Sequence, residues 1–203
     1  MRSRSAATLL LGSGLKNVYS MEGGMRAWKG MVAQGLPEAG MAYFSPAANA
    51  EEIVGLAWAL EEGSKIFYQG VAEHFSEDKE AQEMFNWLAS AEKSHEQHLL
   101  QTYEALTGNQ PDFNRLRAKF SDSLSGTRME GGIAVRQALA WIQDKGVSES
   151  LELAIAMEVN AFDLYIKMSR SIEDKKSQQI FEKLSEEEQV HLEKLSGLLD
   201  KRV

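Results

Sequence analysis

Four stretches between residues 48 and 203 carry side chains at alternating steps of three and four, the spacing of one face of an α-helix. They are Val54, Ala57, Glu61, Ser64, Tyr68, Val71, Phe75; then Phe85, Leu88, Glu92, His95, Leu99, Thr102, Leu106. The third is Leu151, Ala154, Glu158, Ala161, Tyr165, Met168, Ile172, and the fourth Phe181, Leu184, Glu188, His191, Leu195, Leu198. Each face is apolar at its ends and has a glutamate in its middle, and the second and fourth add a histidine one turn on. A carboxylate withdrawn from water costs several kcal/mol even after relaxation, so four of them on core-facing stripes require compensation. Two divalent cations supply four positive charges against four carboxylates, with neutral imidazoles completing the set. Carboxylate oxygen and imidazole nitrogen suit iron or manganese, with zinc possible, and do not suit copper(I) or calcium. The competing reading is a metal-free bundle held by interhelical salt bridges.

The pattern also repeats. Glu61 and Glu158 lie 97 residues apart, Glu92 and Glu188 96, His95 and His191 96, and Tyr68 and Tyr165 97. One helical hairpin used twice makes a four-helix bundle in which the two Glu-x-x-His turns meet at mid-length. The halves run in the same order, so residues 107 to 147 must cross the length of the bundle. Within that connection Gly108, Pro111 and Ser121 to Gly132 read as loop, and Ile133 to Lys145 as a short helix stopped at Gly146. Glu186 and Glu187 fall off the stripe and are expected as surface charges; His74 and His98 are expected as exposed or capping residues, not ligands. Tyr68 and Tyr165 are expected to pack in the core, the other reading being a hydrogen bond to a ligand carboxylate or a radical-quenching role. Trp58, Trp87 and Trp141 are expected to fill core and interface space.

Glu61, Glu92-Lys-Ser-His95, Glu158 and Glu188-Gln-Val-His191, with Phe67-Tyr68 and Leu164-Tyr165, resemble the ferritin-like diiron carboxylate proteins, specifically the rubrerythrin branch. The resemblance implies an all-α, ferritin-like four-helix bundle with a long crossover, holding two iron ions. By it Glu92 and Glu188 bridge the metals, Glu61 and Glu158 are terminal ligands, and His95 and His191 bind one metal each, with no catalytic residue beyond these. It implies a non-haem diiron oxidoreductase that reduces hydrogen peroxide or dioxygen, or oxidises ferrous iron, and that pairs as a homodimer. An iron-binding, iron-storage or sensor bundle without turnover is the alternative. One departure stands out: rubrerythrins typically carry a further glutamate one turn after the third-helix ligand, and that position here is Ala161.

The chain has no cysteine, which removes disulfides, thiolate metal sites and a rubredoxin-type electron donor of its own, so electrons are expected from another protein or from substrate iron. Twenty-two basic against 30 acidic side chains leave a net charge of −8, which disfavours nucleic acid as a partner. No apolar run approaches the roughly 20 residues a membrane span needs, and Ala6 to Leu11 is shorter than a signal-peptide core. A cytoplasmic location is the expectation, in keeping with the absence of cysteine.

The first forty residues differ from the rest. They hold seven of the 16 glycines, and five basic against two acidic side chains. Arg4-Ser5-Ala6-Ala7, Asn17-Val18-Tyr19, Glu22-Gly23-Gly24, Ala27-Trp28 and Gly35-Leu36-Pro37 resemble, in order, the last part of a rhodanese domain. That resemblance implies a small α/β remnant, with a strand near Lys16 to Ser20 and a helix from about Gly24 to Gln34, whose catalytic Cys would lie upstream of Met1. The expected organisation is therefore a rhodanese-like C-terminal fragment over 1–40, a linker over 41–50, and a diiron bundle over 51–203. A strand without neighbours is poor physics for an independent unit. The expectation that follows is a truncated version of a rhodanese and rubrerythrin fusion, and an in-frame stop just upstream of Met1 would count against it.

Overall fold

The structure is a computed structural model that describes residues 50–112, 114 and 127–202. The rhodanese-like fragment expected over 1–40 and the linker expected over 41–50 lie outside the described residues, apart from Ala50, which opens the first helix. Four long helices dominate: α1 (Ala50–His74), α2 (Lys79–Thr107), α4 (Val147–Ser171) and α5 (Lys175–Asp200). A short α3 (Val135–Ile142) lies in the connection between the two hairpins, two residues shorter at its start and three at its end than the periodicity suggests.

Local chemistry sets the helix ends. Asp78 caps α2 by accepting from the Ala81 backbone N–H at 3.1 Å, and Asp174 caps α5 by accepting from the Ser177 N–H at 2.8 Å. Gly108 closes α2 in the left-handed region at φ 68°. The Glu149 carboxylate accepts from Gly146 N–H at 3.1 Å at the start of α4.

The helices α1 and α2 pack as one hairpin and α4 and α5 as the other, and their facing stripes make the core. Every apolar position of the four stripes is buried except Phe75 and Leu106, which are half-buried. Each fully buried Leu or Phe contributes about 1.5–3 kcal/mol, which is the driving force that holds the polar centre of each stripe inside. Among the described residues no helix is long and apolar enough to cross a membrane.

The crossover is the part that periodicity does not describe. Residues Thr127 to Val135 form a tight turn, in which Met129 N–H donates to Ile133 O at 2.9 Å and Val135 N–H to Thr127 O at 3.0 Å. Gly131 and Gly132 occupy φ 73° and 72°, which side chains rarely adopt, and with Glu130 they form a 3-10 turn packed on α1 and α4. Gly63 on α1 makes this approach possible: a Cβ there would lie 2.0 Å from Arg128 O and 2.9 Å from Met129 Cα. The turn therefore rests directly on the α1 backbone and drives Glu130 into the interior.

Candidate metal centre

All six residues singled out by the stripes converge. Glu61 comes from α1, Glu92 and His95 from α2, Glu158 from α4, and Glu188 and His191 from α5; the four glutamates are 0% exposed and the histidines at most 3%. His95 Nδ1 lies 3.3 Å from Glu61 Oε2, 3.2 Å from Glu92 Oε2 and 3.2 Å from Glu188 Oε1. His191 Nδ1 lies 3.0 Å from Glu158 Oε2 and 3.2 Å from Glu188 Oε2. The two imidazoles stack with centroids 5.2 Å apart. Two overlapping groups of potential ligands result: Glu61, Glu92, His95 and Glu188, and Glu92, Glu158 and His191, each with ligand atoms within 4.8 Å of one another. Glu92 belongs to both groups, and Glu188 reaches both histidines.

The protonation pattern is that of carboxylates crowded without solvent. Burial and then the neighbouring Glu188 charge push Glu158 up to about 8, and burial followed by Glu61 raises Glu92 well above the usual carboxylate range. Burial alone would lower His191, but hydrogen bonds to Glu158 and Glu188 outweigh it and raise it to about 10. His95 is raised by the same competition, with Glu61, Glu187 and Glu188 overcoming burial. Glu188 is held well below the ordinary range, because bonds to Glu158 and both histidines overcome its desolvation. These shifts favour protons held between the carboxylates and imidazoles of the cluster.

A cation fits this cavity on structural grounds. Among the described residues, both Glu92 oxygens, Glu61 Oε2, Glu188 Oε1 and His95 Nδ1 are buried without a well-aligned hydrogen bond. Orphaned buried carboxylate oxygens cost several kcal/mol each unless a positive charge meets them. His74 and His98 belong to neither ligand group and are both part-exposed, as expected; Glu186 is exposed. The Rubrerythrin family model matches residues 52–123 and 149–203, well over half of the chain. The chain belongs to the rubrerythrin family. Its membership supports a diiron-type protein, and the buried Glu/His cluster fits an iron site. No curated protein matches the sequence.

Three features of this rubrerythrin-family centre correct or extend the sequence reading. Tyr68 and Tyr165 are core residues, both 0% exposed, but they do more than pack. The Tyr68 hydroxyl donates to Glu158 across the bundle and the Tyr165 hydroxyl to Glu61, so each tyrosine serves the glutamate of the opposite repeat. Burial and then the adjacent carboxylates, Glu158 for Tyr68 and Glu130 for Tyr165, raise both phenols well above 10, so both keep their protons at neutral pH.

Glu187 is not a plain surface charge: its side chain is one-third exposed and its Oε2 lies 3.0 Å from His95 Nε2. Helical periodicity places it off the buried stripe, but the stripe ends at a ring nitrogen that a flanking carboxylate can reach.

Glu130 escaped the periodicity altogether, since it lies in a loop. It is 0% exposed, accepts from Ser64 Oγ at 3.2 Å and lies 3.0 Å from the Tyr165 hydroxyl. The Gly131-Gly132 pair after it was the available sign of a tight turn. Ala161 is fully buried in the apolar core. The tryptophans behave as filler: Trp58 is buried, while Trp87 and Trp141 are half-buried, Trp87 meeting the His191 ring edge-on at 5.1 Å.

Proposed function

We propose that the protein is a non-haem diiron oxidoreductase, in which Glu61, Glu92, His95, Glu158, Glu188 and His191 hold two iron ions. The observation that carries this reading is the set of buried ligand atoms without a well-aligned hydrogen bond among the described residues, above all both oxygens of Glu92, one of them 3.2 Å from His95 Nδ1. Glu92 and Glu188 would bridge, since Glu92 belongs to both ligand groups and Glu188 contacts both Nδ1 atoms. Glu61 and Glu158 would be terminal. Two ferrous ions supply, when bound, the two electrons that convert hydrogen peroxide and two protons into two waters.

The side chains around the ligands do the rest. Tyr68 and Tyr165 hold Glu158 and Glu61 by their hydroxyls, fixing which oxygens face the cavity. Buried apolar neighbours such as Leu88, Leu99, Ala161 and Phe181 keep bulk water away. Electrons would come from another protein or from substrate iron, since these 203 residues hold no cysteine from which to build an iron–sulfur or rubredoxin centre. Manganese or zinc satisfies the same donor set. The rhodanese resemblance of residues 1–40 adds a sulfur-transfer partner domain only in a longer parent protein.

Anaerobic metal analysis, followed by peroxide consumption with an added electron donor, tests the proposal. About two ions per chain and sustained turnover are expected. Iron accumulation well beyond two per chain, with no turnover, would favour storage; no metal uptake would refute the site. Glu92→Ala and His191→Ala should each sharply reduce metal content, whereas His98→Ala should leave it unchanged.

A further inference from the structure

The two halves of the centre are related by the internal repeat, so their differences are informative. The tyrosine contacts obey the symmetry: Tyr68 reaches Glu158 and Tyr165 reaches Glu61. Two other features break it. Glu187 Oε2 lies at ion-pair distance, 3.0 Å, from His95 Nε2, but the residue preceding Glu92, which corresponds to it in the first repeat, is Ala91. No carboxylate pairs with His191 Nε2 among the described residues; the Trp87 ring stands edge-on to that imidazole instead. Similarly, Tyr165 has Glu130 as a second partner at 3.0 Å, whereas Tyr68 has only Glu158 among the described residues.

Both extra carboxyl groups serve the same half. A carboxylate on the outer nitrogen fixes an imidazole with its proton there and its lone pair at Nδ1, and makes it a better donor. The Tyr165 hydroxyl lies between two carboxyl groups, Glu61 and, at 3.0 Å, the fully buried Glu130. Glu130, in turn pinned by Ser64, thereby sets the orientation of Glu61.

We propose that the metal positions are inequivalent by construction: the one framed by Glu61, Glu92, His95 and Glu188 binds its ion more tightly and fills first, with Glu187 and Glu130 as the positioning residues responsible. This rests on the assignment of the six ligands above. Its consequence is ordered loading, and a centre able to hold two different divalent ions.

The full chain, stripped of metal, would be titrated anaerobically with cobalt(II), followed by calorimetry and visible absorption. Two resolved steps are expected, one ion each. Glu187→Gln should weaken the first step roughly 10- to 100-fold, the usual effect of removing a ligand's outer partner, shift its cobalt absorption, and leave the second step in place. Ala91→Glu, which installs the missing partner, should tighten the second. Glu130→Gln, which keeps an amide oxygen to accept from Tyr165, should keep the first step tight, and Glu130→Leu should loosen it. His95→Ala should abolish the tight step and His191→Ala the weak one. Two ions binding with equal affinity, unchanged by Glu187→Gln and Ala91→Glu, would overturn the inference and leave the ligand assignment intact. Failure to bind two ions at all would overturn that assignment as well.

Discussion

The same substitution, glycine to alanine, should have opposite effects at two helical positions. At Gly197 in α5 the residue is exposed and a Cβ would meet nothing within 4 Å. Gly197→Ala therefore collects only the helix-propensity gain of about 0.5–1 kcal/mol. At Gly63 a Cβ would sit 2.0 Å from Arg128 O, 2.6 Å from Arg128 C and 2.9 Å from Met129 Cα, all backbone atoms. The crossover must move by about 1 Å, an overpacking that costs about 1–3 kcal/mol. That displacement would stretch the 3.2 Å Ser64 to Glu130 bond and the 3.3 Å Glu130 N–H to Ser64 bond past useful length. Leaving a buried carboxyl short of partners adds about 1–3 kcal/mol, so the net loss for Gly63→Ala is about 1–5 kcal/mol after the propensity gain. At roughly 2–4 °C per kcal/mol for a chain of this size, thermal unfolding should fall by about 2–20 °C for Gly63→Ala and rise by a few degrees for Gly197→Ala. Circular-dichroism melts of the two variants beside the parent protein decide it. A Gly63→Ala protein as stable as the parent would refute the claim that the crossover backbone lies against α1 and seats Glu130.

Three further outcomes follow from the geometry. Tyr165→Phe removes the shared partner of Glu61 and Glu130, while Tyr68→Phe leaves Glu158 its bond to His191; urea melts should show the first more destabilising by about 1–3 kcal/mol, and equal losses would contradict the asymmetry. In metal-free protein the raised pKa of Glu158, about 8, means that folding must oppose its ionisation as pH climbs from 4.5 to 8. The stabilisation from His191 is complete below 6.5 and lost as pH rises through about 10. Both signs agree, so the melting temperature of chelator-treated protein should drop between pH 6 and 9, and metal-loaded protein should drop less; a flat metal-free profile would argue against the proton-sharing cluster. At the bundle end Arg202 pairs with Asp78 at 2.9 Å and holds its carboxyl down to about 2. The contribution of Asp78 is present above about 3.8 and lost as pH falls through about 2, and Asp78→Ala should cost about 1 kcal/mol through the lost helix cap, measured by denaturant melts at neutral pH.

Much of this architecture was readable from spacing alone. A period of 3.6 fixes which side chains share a face, and burying an apolar face is the dominant favourable term, so the glutamates and histidines embedded in those faces had to go inside with it. Repetition at 96 or 97 residues then required the two Glu-x-x-His turns to meet, and in the structure both histidines contact Glu188. Periodicity is silent where the backbone leaves the helix, and for that reason Glu130 was invisible: its burial depends on Gly63 yielding space and on two left-handed glycines turning the chain, both facts of three-dimensional contact. Glu187 was misassigned for a related cause, since a half-exposed residue at the margin of a stripe belongs to the surface or to the site according to what stands across from it. The sequence by itself determined the helices, their inward faces and the six convergent donors, because those follow from local period and hydrophobic burial. Only the tertiary structure decided that the tyrosines cross to the opposite repeat and that one half of the centre is the better supported, because these depend on distances between segments that no spacing along the chain encodes.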